Sequence, residues 1–215
     1  MERFRDRTEA GQQLAAELKA YSSHPHTVVL GLPRGGVPVA HEVARTLRLP
    51  LDVYLVRKLG APDQPEFAIG AIAENGIRIL NRSVIERLTI SEKMVEKIIA
   101  KESQVLQQRQ QLYRENGPPL DIQGRTVIVV DDGLATGATM LAAMEGLRQQ
   151  QPKDIVIAIP VAPLSVCQKL QSRASWVVCL LTPYPFYSVG RWYKSFPQTT
   201  DQTVKSLLLI APKYC

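Results

Sequence analysis

The sequence predicts an α/β fold, a mostly parallel five-stranded sheet flanked by helices, and three observations predict it. Short runs rich in β-branched residues recur along the chain, each nearly continuously apolar, as strands buried on both faces must be. Segments with the helical period lie between them. Strand and helix therefore alternate, the pattern of an open parallel sheet with helical crossovers.

Taken in order, the chain opens on "MERFRDRTEAGQQLAAEL", a charged, helix-patterned segment. The strand candidates are "TVVLGL" at 27–32, "LDVYLV" at 51–56, "RTVIVV" at 125–130, "DIVIAI" at 154–159 and "WVVCLL" at 176–181. Helices are expected at "VPVAHEVARTL", "TMLAAMEGLRQQ" and "PLSVCQKLQSR"; Met140, Leu141, Met144 and Leu147 mark one face of the second. The alternation breaks at 67–80, where Asn75-Gly76 between two apolar runs signals a two-residue hairpin. A long amphipathic helix should follow at 91–116, with Ser91 as N-cap. Val95, Ile98, Ile99, Val105, Leu106, Leu112 and Tyr113 would share its apolar face, and "GPPLD" would end it. "TTDQTVKSLLLIA" reads as a capped terminal helix with Val204, Leu207 and Leu208 facing in. The whole is expected to be one Rossmann-like domain over 1–215. Its core would be 20–60 and 119–182, its hairpin-plus-helix insertion 61–118, and its C-terminal hood 183–215.

With 215 residues, 45% apolar and 21% charged, the composition is that of a globular domain with a substantial core. No apolar run nears the ~20 residues that span a bilayer, and no signal-peptide core opens the chain. A cytoplasmic protein without a membrane partner is expected. Cys167, Cys179 and Cys215 have neither metal-ligand spacing nor a disulfide framework, and read as buried or idle thiols. The net charge of +6 suggests an anionic partner. Scattered basic residues with no arm or long cluster argue against nucleic acid. A phosphate-rich small molecule needs only a few placed cations, although composition by itself leaves both open.

The segment "VIVVDDGLATGAT", Val127–Thr139, carries the chemistry. In open α/β sheets ligands bind at the carboxyl ends of the strands, where Asp131 and Asp132 would lie. Adjacent carboxylates there can accept hydrogen bonds from vicinal sugar hydroxyls or hold the water shell of a divalent cation. Ala135, Thr136, Gly137, Ala138 and Thr139 would then present backbone N–H groups and two hydroxyls at a helix N-terminus, a site for phosphate. Together these describe a site for ribose 5-phosphate. A magnesium-binding acidic strand of another α/β type would lack the Thr-Gly-x-Thr that follows, and a plain turn capped by Asp and Thr would leave the companion motifs at 31–40 and 56–60 without a role.

This stretch closely resembles the phosphoribosyl pyrophosphate signature of type I phosphoribosyltransferases. "GLPRGGVPVA" at 31–40 is similar to that family's pyrophosphate loop, which often contains an unusual cis peptide; Arg34, Gly35 and Gly36 are the residues it implies. "VRKLGAP" at 56–62 and "AIGAIAENG" at 68–76 follow in the order seen in a bacterial group of such proteins with no assigned acceptor. The resemblance spans about residues 3–210. It implies displacement of pyrophosphate from C1 of phosphoribosyl pyrophosphate by a nitrogenous base, with inversion and with Mg2+ bound mainly by substrate and water. Asp131, Asp132, Arg34 and Lys58 are the implied catalytic residues, with Asp131 and Asp132 facing the metal through water or substrate. Arg34, Gly35, Gly36, Arg57 and Lys58 would hold the leaving group, the last two following the second strand at the sheet edge.

One departure narrows the acceptor. The branch acting on 6-oxopurines carries an aspartate three residues after the acidic pair, where this chain has Ala135. A purine-like acceptor is slightly favoured, but not a 6-oxopurine by the usual aspartate base. Tyr184, Phe186, Tyr187, Trp192, Tyr193 and Phe196 crowd one loop of a chain only 6% aromatic; Phe186 and Tyr187, nearest the strand end, are the candidate base pocket. The insertion reads as a cover over the site, in which Glu66, Glu74 and Arg78 are charged residues that could face the ligand. The helix at 91–116 offers a surface for a homodimer. The competing readings are a regulatory protein that senses phosphoribosyl pyrophosphate without turnover, and an enzyme that hydrolyses or exchanges phosphoribosyl compounds without a base acceptor.

Overall fold

The computed structural model describes residues 3–62, 64–114 and 118–211. The chain forms two compact units. The first comprises residues up to Val53, Leu120–Gly137 and Gln151 onward; the second comprises Tyr54–Pro119 and Ala138–Gln150.

The first unit is built on five parallel strands, β1 (Thr27–Gly31), β2 (Leu51–Val53), β6 (Thr126–Val130), β7 (Asp154–Val161) and β8 (Trp176–Leu181), in the order β2-β1-β6-β7-β8. β1 and β6 are buried at every position, as expected of central strands packed on both faces. Their register, Thr27 opposite Thr126 through Gly31 opposite Val130, brings the ends of β1 and β6 level. Helices α1 (Arg7–Glu17), α2 (Gly36–Leu47), α6 (Leu164–Gln171) and α7 (Asp201–Ile210) flank the sheet. α1 is capped by Asp6, whose carboxylate accepts from Glu9 N–H; that bond holds its pKa below the ordinary value. α2 buries Val39, Ala40, Val43, Ala44 and Leu47, the spacing of one helical face, against Leu14, Leu18, Val29, Ile128 and Val130. Each such aliphatic side chain stabilises the fold by roughly 1.5–3 kcal/mol. Thr200 caps α7 through Thr203 N–H, and of the three inward candidates there Val204 is fully buried while Leu207 and Leu208 are half-buried.

The second unit contains a three-stranded antiparallel sheet, β3 (Val56–Ala61), β4 (Gln64–Ala73) and β5 (Arg78–Leu80). With it are α3 (Arg82–Arg87), α4 (Glu92–Arg114) and α5 (Ala138–Gln149). Two sequence expectations are corrected here. The run 51–56 is not one strand: β2 stops at Val53, and Val56 opens β3 in the other sheet. The turn at Asn75-Gly76 is not a two-residue loop. Glu74–Gly76 form a three-residue 3-10 turn closed by Ala73 N–H to Ile77 O at 2.9 Å, with Gly76 left-handed at φ 74°. A glycine supplies that conformation without a Cβ clash.

α4 runs where it was expected, with the Ser91 hydroxyl accepting from Met94 N–H. Val95, Ile99, Leu106 and Tyr113 are its buried residues, whereas Leu112 is exposed. Residues 115 and 116 of the expected helix, Cys215 and the side chain of Glu66 lie outside the described residues. No helix among the described residues is long and apolar enough to cross a membrane.

Candidate active site

The acidic pair sits where β6 ends, as the sequence requires. Asp131 and Asp132 follow Val130 directly, and the first turn after β1 lies against them. The two strand ends are joined by Leu32 N–H donating to Val130 O at 2.9 Å. The peptide between Pro33 and Arg34 is cis, as the family resemblance implied.

At Gly35 and Gly36 the missing Cβ is needed by the acid pair itself. Gly35 is an ordinary right-handed residue, φ −65° and ψ −30°. A Cβ there would lie 2.0 Å from Asp132 Oδ2. A Cβ on Gly36 would lie 2.7 Å from Val130 O and 2.8 Å from Asp131 Cα. The glycine pair is therefore what lets the α2 N-terminus close onto the carboxylates.

The carboxylates are tightly held. Asp131 Oδ1 accepts from Asp132 N–H at 2.9 Å. Asp132 Oδ2 accepts from Arg7 Nε at 2.9 Å and lies 2.8 Å from Arg7 Nη2. Its backbone carbonyl accepts from the Tyr193 hydroxyl at 2.6 Å. Burial, and then the Asp132 charge, push Asp131 well above the ordinary carboxylate range. Burial raises Asp132 also, while the Arg7 charge and hydrogen bond act against it. Burial and the Asp132 charge raise the Tyr193 phenol, which keeps it a donor.

Beyond the acids the chain turns sharply. Gly133 has φ 153°, and a Cβ on it would meet Val189 Cγ1 at 2.5 Å. Leu134 is buried and donates its N–H to Val161 O at 3.0 Å, anchoring the turn to β7. Gly137 is left-handed at φ 73°, with Val166 Cγ1 at 2.8 Å from its absent Cβ. Between and after these anchors Ala135, Thr136, Ala138 and Thr139 are exposed, and Ala138 opens α5. The loop is thus pinned at two points and open between them, a form suited to an anion at a helix N-terminus.

The other candidates fall in different places. Arg34 is partly exposed, with Nη1 3.7 Å from Asp201 Oδ2. Arg57 and Lys58 do not follow the end of β2 in the parallel sheet, as expected; they lie within β3, opposite Ile72 and Ala71 of β4. Consecutive strand residues face opposite sides. Arg57 turns to α4, where its Nε and Nη2 donate to Glu102 at 2.8 and 2.6 Å. Glu74 is buried and paired with Arg114 at 2.6 Å, and Arg78 is paired with Glu96 at 3.1 Å on the surface.

Phe186 packs against the cluster of Phe4, Val161 and Tyr193, and Tyr187 is 68% exposed beneath the Arg191 guanidinium. Tyr193, Trp192 and Phe196, given no separate role by the sequence, form with Phe4 and Arg7 the clasp on Asp132. The only trace of this in the sequence is an aromatic-rich tail and a basic N-terminus. Two cysteines meet: Cys167, on α6, and Cys179, on β8, are free thiols that lie against each other.

Comparison with known proteins agrees with this geometry. The model of the phosphoribosyl transferase domain matches residues 5–189. A Mycobacterium tuberculosis H37Rv protein named "Putative phosphoribosyl transferase" is 44% identical over 208 residues, 97% of this chain and 47% of its own. The chain thus spans about half the length of that relative. The crystal structure of TT1426 from Thermus thermophilus is 45% identical, covers 96% of this chain and 98% of that one, and superposes with a TM-score of 0.85. A Deinococcus radiodurans protein named Bifunctional protein PyrR is 28% identical over 135 residues, 60% of this chain and 72% of its own. On the matched domain, the identity over nearly its whole length and the acidic pair at the end of β6, the chain belongs to the phosphoribosyl transferase family.

Proposed function

We propose that the chain transfers the phosphoribosyl group of 5-phosphoribosyl 1-pyrophosphate to a nitrogenous base, releasing pyrophosphate. The observation that carries this reading is the closure of the Arg34-Gly35-Gly36 turn onto Asp131 and Asp132, which lead directly into a loop where Ala135 and Thr136 are exposed. Carboxylates, a cation and a pinned amide-rich loop supply what a ribose diol, a diphosphate and a 5-phosphate each require. Ala135, Thr136, Gly137, Ala138 and Thr139 hold the 5-phosphate. Asp131 and Asp132 accept from the ribose hydroxyls, and their charge favours the positive character that develops on the ring as the C1–O bond breaks. Arg34, at the Gly35-Gly36 turn, stabilises the departing pyrophosphate. The nitrogen of the acceptor bonds C1 from the opposite side, with inversion, and its N–H proton passes to solvent.

The donor set fits magnesium held chiefly by the substrate. No group of three or more His, Cys, Asp or Glu side chains among the described residues could cage a metal. A hard cation that keeps several waters and borrows phosphate oxygens needs only one or two carboxylates. Asp131 and Asp132 are those carboxylates, through water or substrate, and the ion supplies charge neutralisation on the diphosphate when bound. A purine-like acceptor is slightly favoured, and a 6-oxopurine is not handled by the usual aspartate base, because Ala135 stands where that aspartate would manage the base proton. Phe186 and Tyr187 are its proposed stacking partners.

Pyrophosphate release, followed with phosphoribosyl pyrophosphate and magnesium across a panel of bases and amines, tests this. Release dependent on one acceptor is the expected result. Release with water alone would instead make the protein a hydrolase, and tight binding with no release under any acceptor would make it a sensor.

A further inference from the structure

We propose that Arg7 is a positioning residue for this reaction, holding the Asp132 carboxylate in the orientation that meets the ribose. The inference rests on the reading of Asp131 and Asp132 as the ribose contact. Arg7 is the first residue of α1, 125 positions before the carboxylate it binds. Its guanidinium is engaged on every side. Nε and Nη2 reach Asp132 Oδ2 at 2.9 and 2.8 Å, and Nη1 donates to Pro197 O at 2.7 Å. The plane lies over the Phe196 ring, 3.8 Å from its centroid. The Arg7 side chain is 11% exposed and that of Asp132 14%.

The support around Arg7 comes from both ends of the chain. Phe4 N–H donates to Trp192 O at 2.9 Å, Lys194 N–H to Phe4 O at 2.8 Å and Ser195 N–H to Arg5 O at 2.9 Å. Tyr193 stacks between Phe4 and Phe196, with centroids 5.4 and 4.8 Å away, and its hydroxyl holds the Asp132 carbonyl. Asp132 is therefore fixed at its carboxylate by one terminal segment and at its backbone by the other. Both Arg7 contacts fall on Oδ2, so the fork fixes the position of that oxygen and engages only one of the two. A mobile arginine would read as an exposed surface pair worth little; one with three anchors and an aromatic bed is built to hold a geometry. It also places a fixed cation beside two adjacent carboxylates, which could not otherwise be kept close at low cost.

Affinities for two probes, phosphoribosyl pyrophosphate with magnesium and inorganic pyrophosphate without magnesium, which bypasses the carboxylates, test this on the full chain. Arg7→Ala should weaken the ribose-bearing probe roughly tenfold to a hundredfold, the usual cost of a misplaced binding group, and leave inorganic pyrophosphate unchanged. Unchanged affinity for the ribose-bearing probe would overturn the inference, and so would equal losses for both probes, which would mark a general loosening. Should Arg7→Ala fail to fold, Arg7→Lys, which keeps the charge and loses the fork, carries the same comparison. Failure of the wild-type chain to bind phosphoribosyl pyrophosphate would sink the proposed function. Wild-type binding with undiminished binding by the Arg7 variants would sink this inference alone.

Discussion

Gly35 shows how a single missing atom shapes the site. Its backbone angles suit any residue, so its glycine identity is a matter of volume rather than conformation. The space a Cβ would take is filled by the Asp132 carboxylate, 2.0 Å from Oδ2 and 2.6 Å from Cγ. Arg7 holds that carboxylate, so it cannot swing aside freely. Gly35→Ala should therefore cost about 1–3 kcal/mol by overpacking and weaken phosphoribosyl pyrophosphate binding more than the stability loss explains. Calorimetric titration beside thermal unfolding checks this, and a variant that binds normally would show that the turn can retreat. The glycines were legible in the sequence only through the family resemblance, as part of a ligand loop. That they make room for the acid pair was not, because nearly 100 positions separate the two motifs along the chain.

At the level of elements, the second unit differs most from its sequence reading. Apolar runs of six residues carry too few positions to fix which sheet they join, and "LDVYLV" divides between two. The three-residue turn after β4 brings Glu74 inside, where it is 4% exposed against Arg114 at 6%. Glu74 N–H donates to Leu55 O at 3.0 Å, and the charge of Glu74, after burial, helps raise the Tyr54 phenol nearby. Periodicity assigns such a glutamate to solvent; only the pairing of α4 with the turn makes burial tolerable. Removing one partner strands the other charge. Arg114→Ala should destabilise the protein by about 3–5 kcal/mol, and Arg114→Met with Glu74→Leu by clearly less. Chemical denaturation of the single and double variants measures the difference, and equal losses would mean that the charges matter less than their packing.

For the whole molecule, the acid pair is a stability cost carried for function. Asp131 titrates above its unfolded value of 3.8 because burial and Asp132 disfavour its charge. A raised carboxylate contributes stability that is fully present below the unfolded pKa and is lost as pH rises through the folded one. Asp131→Asn should accordingly raise the thermal midpoint at neutral pH, by roughly 2–4 °C for each kcal/mol regained. The gain over wild type should shrink towards zero below about pH 4, and phosphoribosyl pyrophosphate binding should fall sharply at neutral pH. A midpoint that drops at neutral pH would show that Asp131 stabilises the fold it sits in. The sequence alone determined the parallel sheet, the end of β6 as the place for the acids, and the turn after them. Those depend on local period and on residues adjacent in the chain. Only the tertiary structure decided that Arg7 and Tyr193 grip Asp132, that Arg57 turns to Glu102, and that the aromatic tail packs the clasp. Such contacts join residues far apart in sequence, and a long polar side chain carries no periodic mark of the partner that folding will bring to it.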